Sequence, residues 1–475
     1  MIPQPSNYEI WPGIVRANET AKLTILATEN CFIPQEGLEF FLRVHPMNQD
    51  GMNHLMEIEF PEIRMNNSKG VLTAEYAFGE EGDYWVDLIL DGKVRYSTHV
   101  YALEEDLYDL RPLKGDFHGH SYRSDGRRDP GALAGYFREQ GYDFFSLTDH
   151  NRYYPNGELA ERYKDVELGM TFVTGEEIHT PPSVIHIVHV GGKRSVAETY
   201  QKEPERYETE WRAMLEQVPN EVPEDFKERY AMAMWATDEV HKAGGLAIFA
   251  HPFWRSNVCN CYNVPTKYAK LLIKSGMFDA YEVHGGMGVD GNNMSLALWN
   301  DLVAEGVKLP IVGSSDVHRV IGSKHFSYLF TIVLAKDNTE EAILDALRKG
   351  HTIPVERSGT PEAPEFRCVG SLRMVIYGQY LLNHYFPRTQ RIAEGEGVMM
   401  RNYLVGAERG ELLSACADRV SSFWRRFAGI DVPIVPSKEI LERQEKWLAV
   451  HRTSPVARGS SIFLNEKGTN IRYDY

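Results

Sequence analysis

Residues 115–126 read Gly-Asp-Phe-His-Gly-His-Ser-Tyr-Arg-Ser-Asp-Gly, so Asp116, His118, His120 and Asp125 fall within a short stretch that also holds glycines and small polar residues. Neither a helix nor a strand needs that mixture for packing. Imidazole and carboxylate at this density suit a divalent transition metal, and zinc, manganese or iron rather than magnesium or calcium alone. Further along the chain the same residue types recur as Asp149-His150, Glu176-Glu177, His186 with His189, His251, His284, and Asp316 with His318. In His118-x-His120 and Asp316-x-His318, the period of two of an extended chain puts both side chains on one side, where they can grip one ion. Each fragment alone is weak, because a single histidine at a strand end is more often a hydrogen-bonded structural residue. Jointly, at consecutive candidate strand ends, they are not coincidental. Their number exceeds the needs of one tetrahedral zinc and fits two or three ions.

The elements that must position these residues follow from local pattern. Residues 1–110 contain short β-rich segments, AKLTILATE, LEFFLRVHP, LMEIEFP, GVLTAEYAF, GDYWVDLIL and VRYSTHVYAL, separated by turn signals such as Asp91-Gly92. A small β-sandwich is expected there. It holds no titratable cluster, which leaves it packing, oligomerisation or contacts at the edge of a site. Residues 111–357 alternate between strands (GDFHGH, YDFFSLTDH, TFVTGEEI, VIHIVHVGG, LAIFAHP, DAYEVHGG, LPIVGSSD) and helical stretches such as PGALAGYFREQG, ATDEVHKAGG, NMSLALWNDLVAEG and NTEEAILDALRKG. That alternation predicts a parallel α/β architecture, barrel or doubly wound. In a barrel the C-terminal strand ends share one face, where active sites are built. After a Pro/Gly/Ser-rich segment at 358–366, residues 358–475 read as a mostly helical extension, in LRMVIYGQYLLNHYF, RGELLSACADRVSSFWRRF and SKEILERQEKWLAVH.

Composition sets the outer bounds. The 475 residues are 43% hydrophobic and 25% charged, ordinary for a globular protein, with a formal net charge of −16. An acidic chain without a lysine- or arginine-rich run argues against a nucleic-acid polymer as partner. A small anionic substrate remains compatible where a metal or a local arginine supplies positive charge. No stretch approaches a membrane span, and the N-terminus lacks the pattern of a secretory signal. The five cysteines at 31, 259, 261, 368 and 416 do not form a disulfide framework, and Cys259-x-Cys261 reads as free thiols in a loop. Cytoplasmic location is the expectation.

The ordered set DFHGHS…SDG, SLTDHN, GEE, HIVHVGG, GGLAIFAHP, YEVHGG and GSSDVH resembles the motifs of the PHP (polymerase and histidinol phosphatase) family. TEEAILDALRKGHT is similar to that domain's closing helix. The resemblance runs from about residue 112 to 357 and implies a distorted (β/α)7 barrel holding two or three divalent ions, zinc, manganese or iron. Carried over position by position, it implies metal ligands at His118, His120, Asp125, His150, Glu177, His186, His251, Asp316 and His318. The family's Gly-x-Glu pattern favours Glu177, whereas strand alternation points to Glu176, and His189 rivals His186. Asp116 and Asp149 are placed to orient histidines through hydrogen bonds, and His241 lies on a helix face. The flanking regions resemble a branch of single-chain PHP metallohydrolases that includes carbamate-ester hydrolases.

The leading functional expectation is a metal-dependent hydrolase of a small phosphoester, with a metal-bridging hydroxide as nucleophile. Asp149, Arg319 and His284 are the candidate catalytic residues: Asp149 to orient the site, Arg319 to hold a phosphate oxygen, with His284 or His325 alongside. A carboxylic or carbamate-ester hydrolase using the same metals is the alternative. A PHP barrel with a structural or regulatory role ranks third, since no ligand position is lost. The expected partner is a phosphorylated small molecule, with no membrane and with homo-oligomerisation left open. Specificity is expected from residues 196–235, the loop WRSNVCNCYN and the helical extension.

Overall fold

The computed structural model describes residues 7–29, 32–35, 37–48, 60–183, 185–256, 259–323, 325–360, 364–435, 437–439, 441–443, 446, 463–464 and 470–471. The candidate strand LMEIEFP and the candidate helix SKEILERQEKWLAVH fall largely outside them. Packing divides the chain into a larger unit, Leu110–Ser421, and a smaller one, Ile2–Asp109 with Ser422–Tyr475.

The smaller unit is built from β1 (Tyr8–Trp11), β2 (Ile14–Arg16), β3 (Thr20–Ala27), β4 (Phe40–Pro46), β5 (Glu62–Arg64), β6 (Asn66–Ser68), β7 (Val71–Ala77), β8 (Gly82–Leu90) and β9 (Lys93–Leu103). They form two sheets, ordered β1-β3-β7-β6 and β2-β9-β8-β4-β5. Alternation along the strands sends Leu23, Ile25 and Leu72 of one sheet into the same apolar cluster as Leu42, Val86, Leu88 and Val100 of the other. Residues 423–428 join this unit. The Phe423 ring meets Trp11 edge-on at 5.6 Å, and the Tyr108 hydroxyl donates to the Ala428 carbonyl at 2.9 Å.

The larger unit is mixed α/β. Its strands are β10 (Arg111–Asp116), β11 (Phe144–Leu147), β12 (Thr171–His179), β13 (His186–Val190), β14 (Leu246–Phe249), β15 (Ala280–His284), β16 (Ile311–Gly313), β17 (Leu329–Ala335), β18 (Thr352–Gly359) and β19 (Pro364–Cys368). They make one sheet in the order β16-β15-β14-β13-β12-β11-β10-β17-β18-β19. The sheet curls, because Thr331 of β17 accepts from the Gly313 N–H of β16 (2.9 Å) and donates to its carbonyl (2.7 Å). Helix Glu340–Arg348, capped by the Thr339 hydroxyl on the Ala342 N–H, buries Ile343 and Leu347 against Leu113, Val173, Val312 and Val333.

Two corrections to the sequence reading concern strand direction. The expected all-parallel order holds for β10–β11–β12 and for β14–β15–β16, but β13 is antiparallel to both β12 and β14. Only residues 180–185 join β12 to β13. A parallel connection needs a dozen or so residues, so the chain must fold back as a hairpin. On the other side of β10, β17, β18 and β19 add an antiparallel run.

The region after residue 358 also carries a helix that the periodicity did not reveal, Phe386–Leu404, interrupted in sequence by Gly395 and Gly397. These residues are not a helix break. At Gly397 a Cβ would stand 2.2 Å from the Glu139 nitrogen and 2.6 Å from the Gly135 carbonyl oxygen, so glycine lets this helix lie against helix Pro130–Glu139. Among the described residues no helix is long and apolar enough to cross a membrane.

Candidate metal centre

Most of the candidate ligands lie beyond the strand ends, while Glu177 and His186 sit on β12 and β13. β10 stops at Asp116 and β16 at Gly313, so His118, His120, Asp316 and His318 lie in the segments that follow. Those segments are fixed by backbone bonds: His120 N–H to the Val317 carbonyl (3.0 Å), Thr148 N–H to that of Gly119 (2.9 Å) and Arg127 N–H to that of His318 (3.0 Å). Asp116, fully buried, accepts from the His118 and Ser315 N–H groups and so ties both segments together. Asp149 performs the same service for the next loop. Its carboxylate accepts from the backbone and hydroxyl groups of both Ser121 and Ser124, at 2.6–3.1 Å. Those bonds occupy both oxygens and hold the turn that presents Asp125.

Glu177 occupies the centre. Its carboxylate, fully buried, lies 2.7 Å from His150 Nδ1, 2.8 Å from His186 Nδ1, 3.1 Å from His251 Nε2, 3.3 Å from His118 Nε2 and 3.4 Å from His120 Nε2. Asp316 approaches His120 Nε2 (3.0 Å) and His118 Nε2 (3.4 Å). Asp125 reaches His318 Nε2 (3.2 Å) and His150 Nε2 (3.5 Å). The donors fall into overlapping groups. His120, Asp125, His150 and His318 form one, His118, His120, Glu177 and Asp316 a second, and Glu177, His186 and His251 a third. His251 and Asp316 have φ of 23° and 49°, in the left-handed region. Such geometry costs about 1–3 kcal/mol per residue and is tolerated where the surroundings over-determine it.

The alternatives left open by the sequence resolve geometrically. Glu177 and His186 join the cluster, while Glu176 and His189 face the other side of β12 and β13. There His189 Nδ1 lies 3.3 Å from Glu176, which also accepts from the Ser195 hydroxyl (2.7 Å). His186 reaches the cluster because β13 runs backwards and begins where its neighbours end. Two further residues join that the sequence reading missed. Glu282 accepts from the His251 N–H (2.9 Å) and lies 3.1 Å from His118 Nδ1. His179 Nε2 lies 3.5 Å from Glu177. Both carried a signal: Glu282 is a carboxylate inside an apolar strand, and His179 shares Glu177's side of β12 by alternation.

His284 is not brought into the cluster. The register shifts between Glu282 and His284, which breaks their common face. The His284 ring is buried with neither nitrogen hydrogen-bonded, and its pKa is pushed down to about 4 by burial and by Arg367. Arg319 follows His318 on the exposed surface, with no ion pair among the described residues.

The donor set fits divalent cations. His118 Nε2, His150 Nδ1, His186 Nδ1 and Glu177 Oε2 are buried and satisfy no hydrogen bond, despite their mutual closeness. Buried polar atoms normally do, and cations bound in the separate donor groups that share Glu177 would satisfy them. Burial opposes ionisation of Glu177, yet the imidazoles of His150, His118, His186 and His179 outweigh it and hold its pKa well below the usual carboxylate range. Burial likewise opposes the charge on His150 and His318, but Glu177 and Asp125 lift His150 to about 10, and Asp125 and Asp316 lift His318 to about 8. Burial holds His186 at about 3 and His120 at about 4, both neutral and ready to coordinate. Without metal, His150 and His318 therefore carry protons at pH 7, and a cation must displace them. Calorimetric titration of metal-free protein with manganese, in buffers of different ionisation enthalpy, should show release of about one proton or more per chain at pH 7. Affinity should rise with pH. Heats independent of buffer would contradict the assignment.

No family model and no curated protein matches the chain. Solved structures similar to it include a two-domain protein from Bacteroides vulgatus containing a predicted PHP-like metal-dependent phosphoesterase, at 22% identity and TM-score 0.36. That match covers 52% of this chain and 66% of the other. An amidohydrolase from Chromobacterium violaceum, with bound sulfate and no metal, matches at 18% identity and TM-score 0.30, over 44% of this chain and 89% of the other.

Proposed function

We propose that the larger unit is a PHP-type metal-dependent hydrolase, a distorted barrel whose cluster holds two or three divalent ions and cleaves a small phosphoester. The observation that carries this reading is Glu177, a buried carboxylate facing five imidazoles at 2.7–3.4 Å and shared between overlapping donor groups. His118, His120, Asp125, His150, Glu177, His186, His251, Asp316 and His318 would hold the ions, with Glu282 fixing the ring of His118. Ions bound there would supply Lewis acidity, polarising a phosphoryl oxygen and bringing the pKa of a water to about 7.

The protein's own contribution is positional. Asp116 and Asp149 fix the segments that carry the donors. Arg319, next to His318, exposed and without an ion pair among the described residues, would pair two oxygens of a phosphoryl group in a fork.

A panel of aryl phosphates and aryl carboxylic or carbamate esters, assayed with manganese- or zinc-loaded protein, tests the reading. Phosphate turnover should dominate, and ester turnover alone would overturn it in favour of a carboxylic or carbamate-ester hydrolase. No metal-dependent turnover of either kind would favour a non-catalytic barrel. Within the panel, Arg319→Ala should slow phosphate turnover by about 1.5–3 kcal/mol in kcat/KM and barely change that of a neutral ester. Arg319→Lys should recover part of the loss. Equal losses on both substrates would mean that Arg319 supports the fold.

A further inference from the structure

A cleft of about 420 Å³ opens beside His150, walled by residues 150–154 and by Glu198 and Gln201. His150 belongs to both the cleft and the donor cluster, with its Nδ1 2.7 Å from Glu177. A molecule whose reacting group sits among the donors therefore has this cleft as a place for the rest of itself. The volume falls in the range of sites that take small organic molecules.

The charge of the cleft is unusual for an acidic chain. Lys202 pairs with Glu198 of the wall at 2.6 Å. Glu198, the one carboxylate among the described residues of the wall, is thus neutralised. Arg152 is exposed and has no ion pair among the described residues. Its backbone is held from several sides. The Arg152 N–H donates to the Asp149 carbonyl (3.1 Å), and the preceding Asn151 has a φ of 54°. Asn151 donates its N–H to the Glu177 carbonyl (2.8 Å). Its side-chain oxygen accepts from the His179 N–H (2.8 Å) and the Tyr200 hydroxyl, and its carbonyl accepts from the Gln201 amide (3.1 Å). The arginine is anchored at its root and free at its tip, as a guanidinium awaiting a planar anion must be. Tyr153 and Tyr154 add ring surface beside it.

We propose that this cleft receives the leaving group of the substrate and that Arg152 pairs there with a second oxyanion, a carboxylate or a phosphate, remote from the bond that is broken. This rests on the phosphoester reading above and narrows it to substrates with an anionic leaving group.

The test measures binding and turnover separately. Benzylphosphonate, its 4-carboxy derivative and its 4-phosphonomethyl derivative are titrated calorimetrically into the manganese-loaded full chain, as wild type, Arg152→Ala and Arg152→Lys. Metal content and thermal midpoint serve as controls for folding. The wild type should bind at least one anionic derivative about tenfold or more tighter than the parent. Which derivative gains more separates carboxylate from phosphate. Arg152→Ala should erase that margin and Arg152→Lys restore part of it. A margin that is absent in the wild type, or unchanged in Arg152→Ala, overturns the subsite, as does failure of all three to bind. The corresponding phosphate esters are assayed in parallel. No turnover with the margin intact overturns the phosphoester reading and supports the subsite, whereas turnover without a margin overturns the subsite alone.

Discussion

Replacing Glu177 by glutamine is expected to lower the metal content by at least one ion per chain and to cut turnover by about 100-fold or more. The change removes one buried charge and hardly alters shape. That charge is the one to which His118, His120, His150, His186 and His251 all turn, so its loss weakens every donor group that contains it. Changes to groups that only orient a ligand commonly cost about 10–100-fold in metal affinity or activity, which sets a floor for a residue at the centre. Elemental analysis and steady-state rates on the same preparation decide it. Wild-type metal content with wild-type turnover would remove Glu177 from the site.

The largest effect on stability is expected far from the metal donors. Arg138 is fully buried on helix Pro130–Glu139, where its Nε donates to Glu396 (2.8 Å) and its Nη1 to the Tyr142 carbonyl (2.9 Å). Glu396, on helix Phe386–Leu404, uses its other oxygen to accept from the Gly169 N–H (2.6 Å). Glu396→Ala leaves the buried guanidinium with only Asp143, 3.4 Å from its Nη1, as counter-charge and should cost up to about 3–5 kcal/mol in denaturant unfolding of metal-free protein. The double replacement Arg138→Met with Glu396→Leu removes both charges and should cost less than Glu396→Ala alone, because no buried guanidinium is then short of a counter-charge and Asp143 keeps Arg111 at 3.6 Å. If the double variant loses as much as the single one, helix packing rather than the buried charge is responsible.

These residues also show where the sequence was legible. The motif residues announced themselves because imidazoles and carboxylates at successive strand ends have no packing role, and the fold gathers them around Glu177. What the sequence hid was direction. Strand alternation pointed to Glu176 because it could not register that the cluster lies on the other face of β12. The short connection 180–185, with Pro181-Pro182, held the information that β13 folds back, and with it the choice of His186 over His189. His284, expected beside the site, is kept out of the cluster by a register shift after Glu282, which side-chain periodicity does not encode. Helix Phe386–Leu404 was hidden by glycines that lower helix propensity yet allow close packing on Gly135, a gain visible only in three dimensions.

Metal stoichiometry tests the central claim most directly. Metal-free protein is loaded with manganese or zinc, desalted and subjected to elemental analysis against protein concentration. The donor groups around Glu177 predict at least two equivalents of transition metal per chain, because they overlap and together exceed the needs of one ion. A single tightly held equivalent, or retention of magnesium alone, would contradict a multinuclear centre.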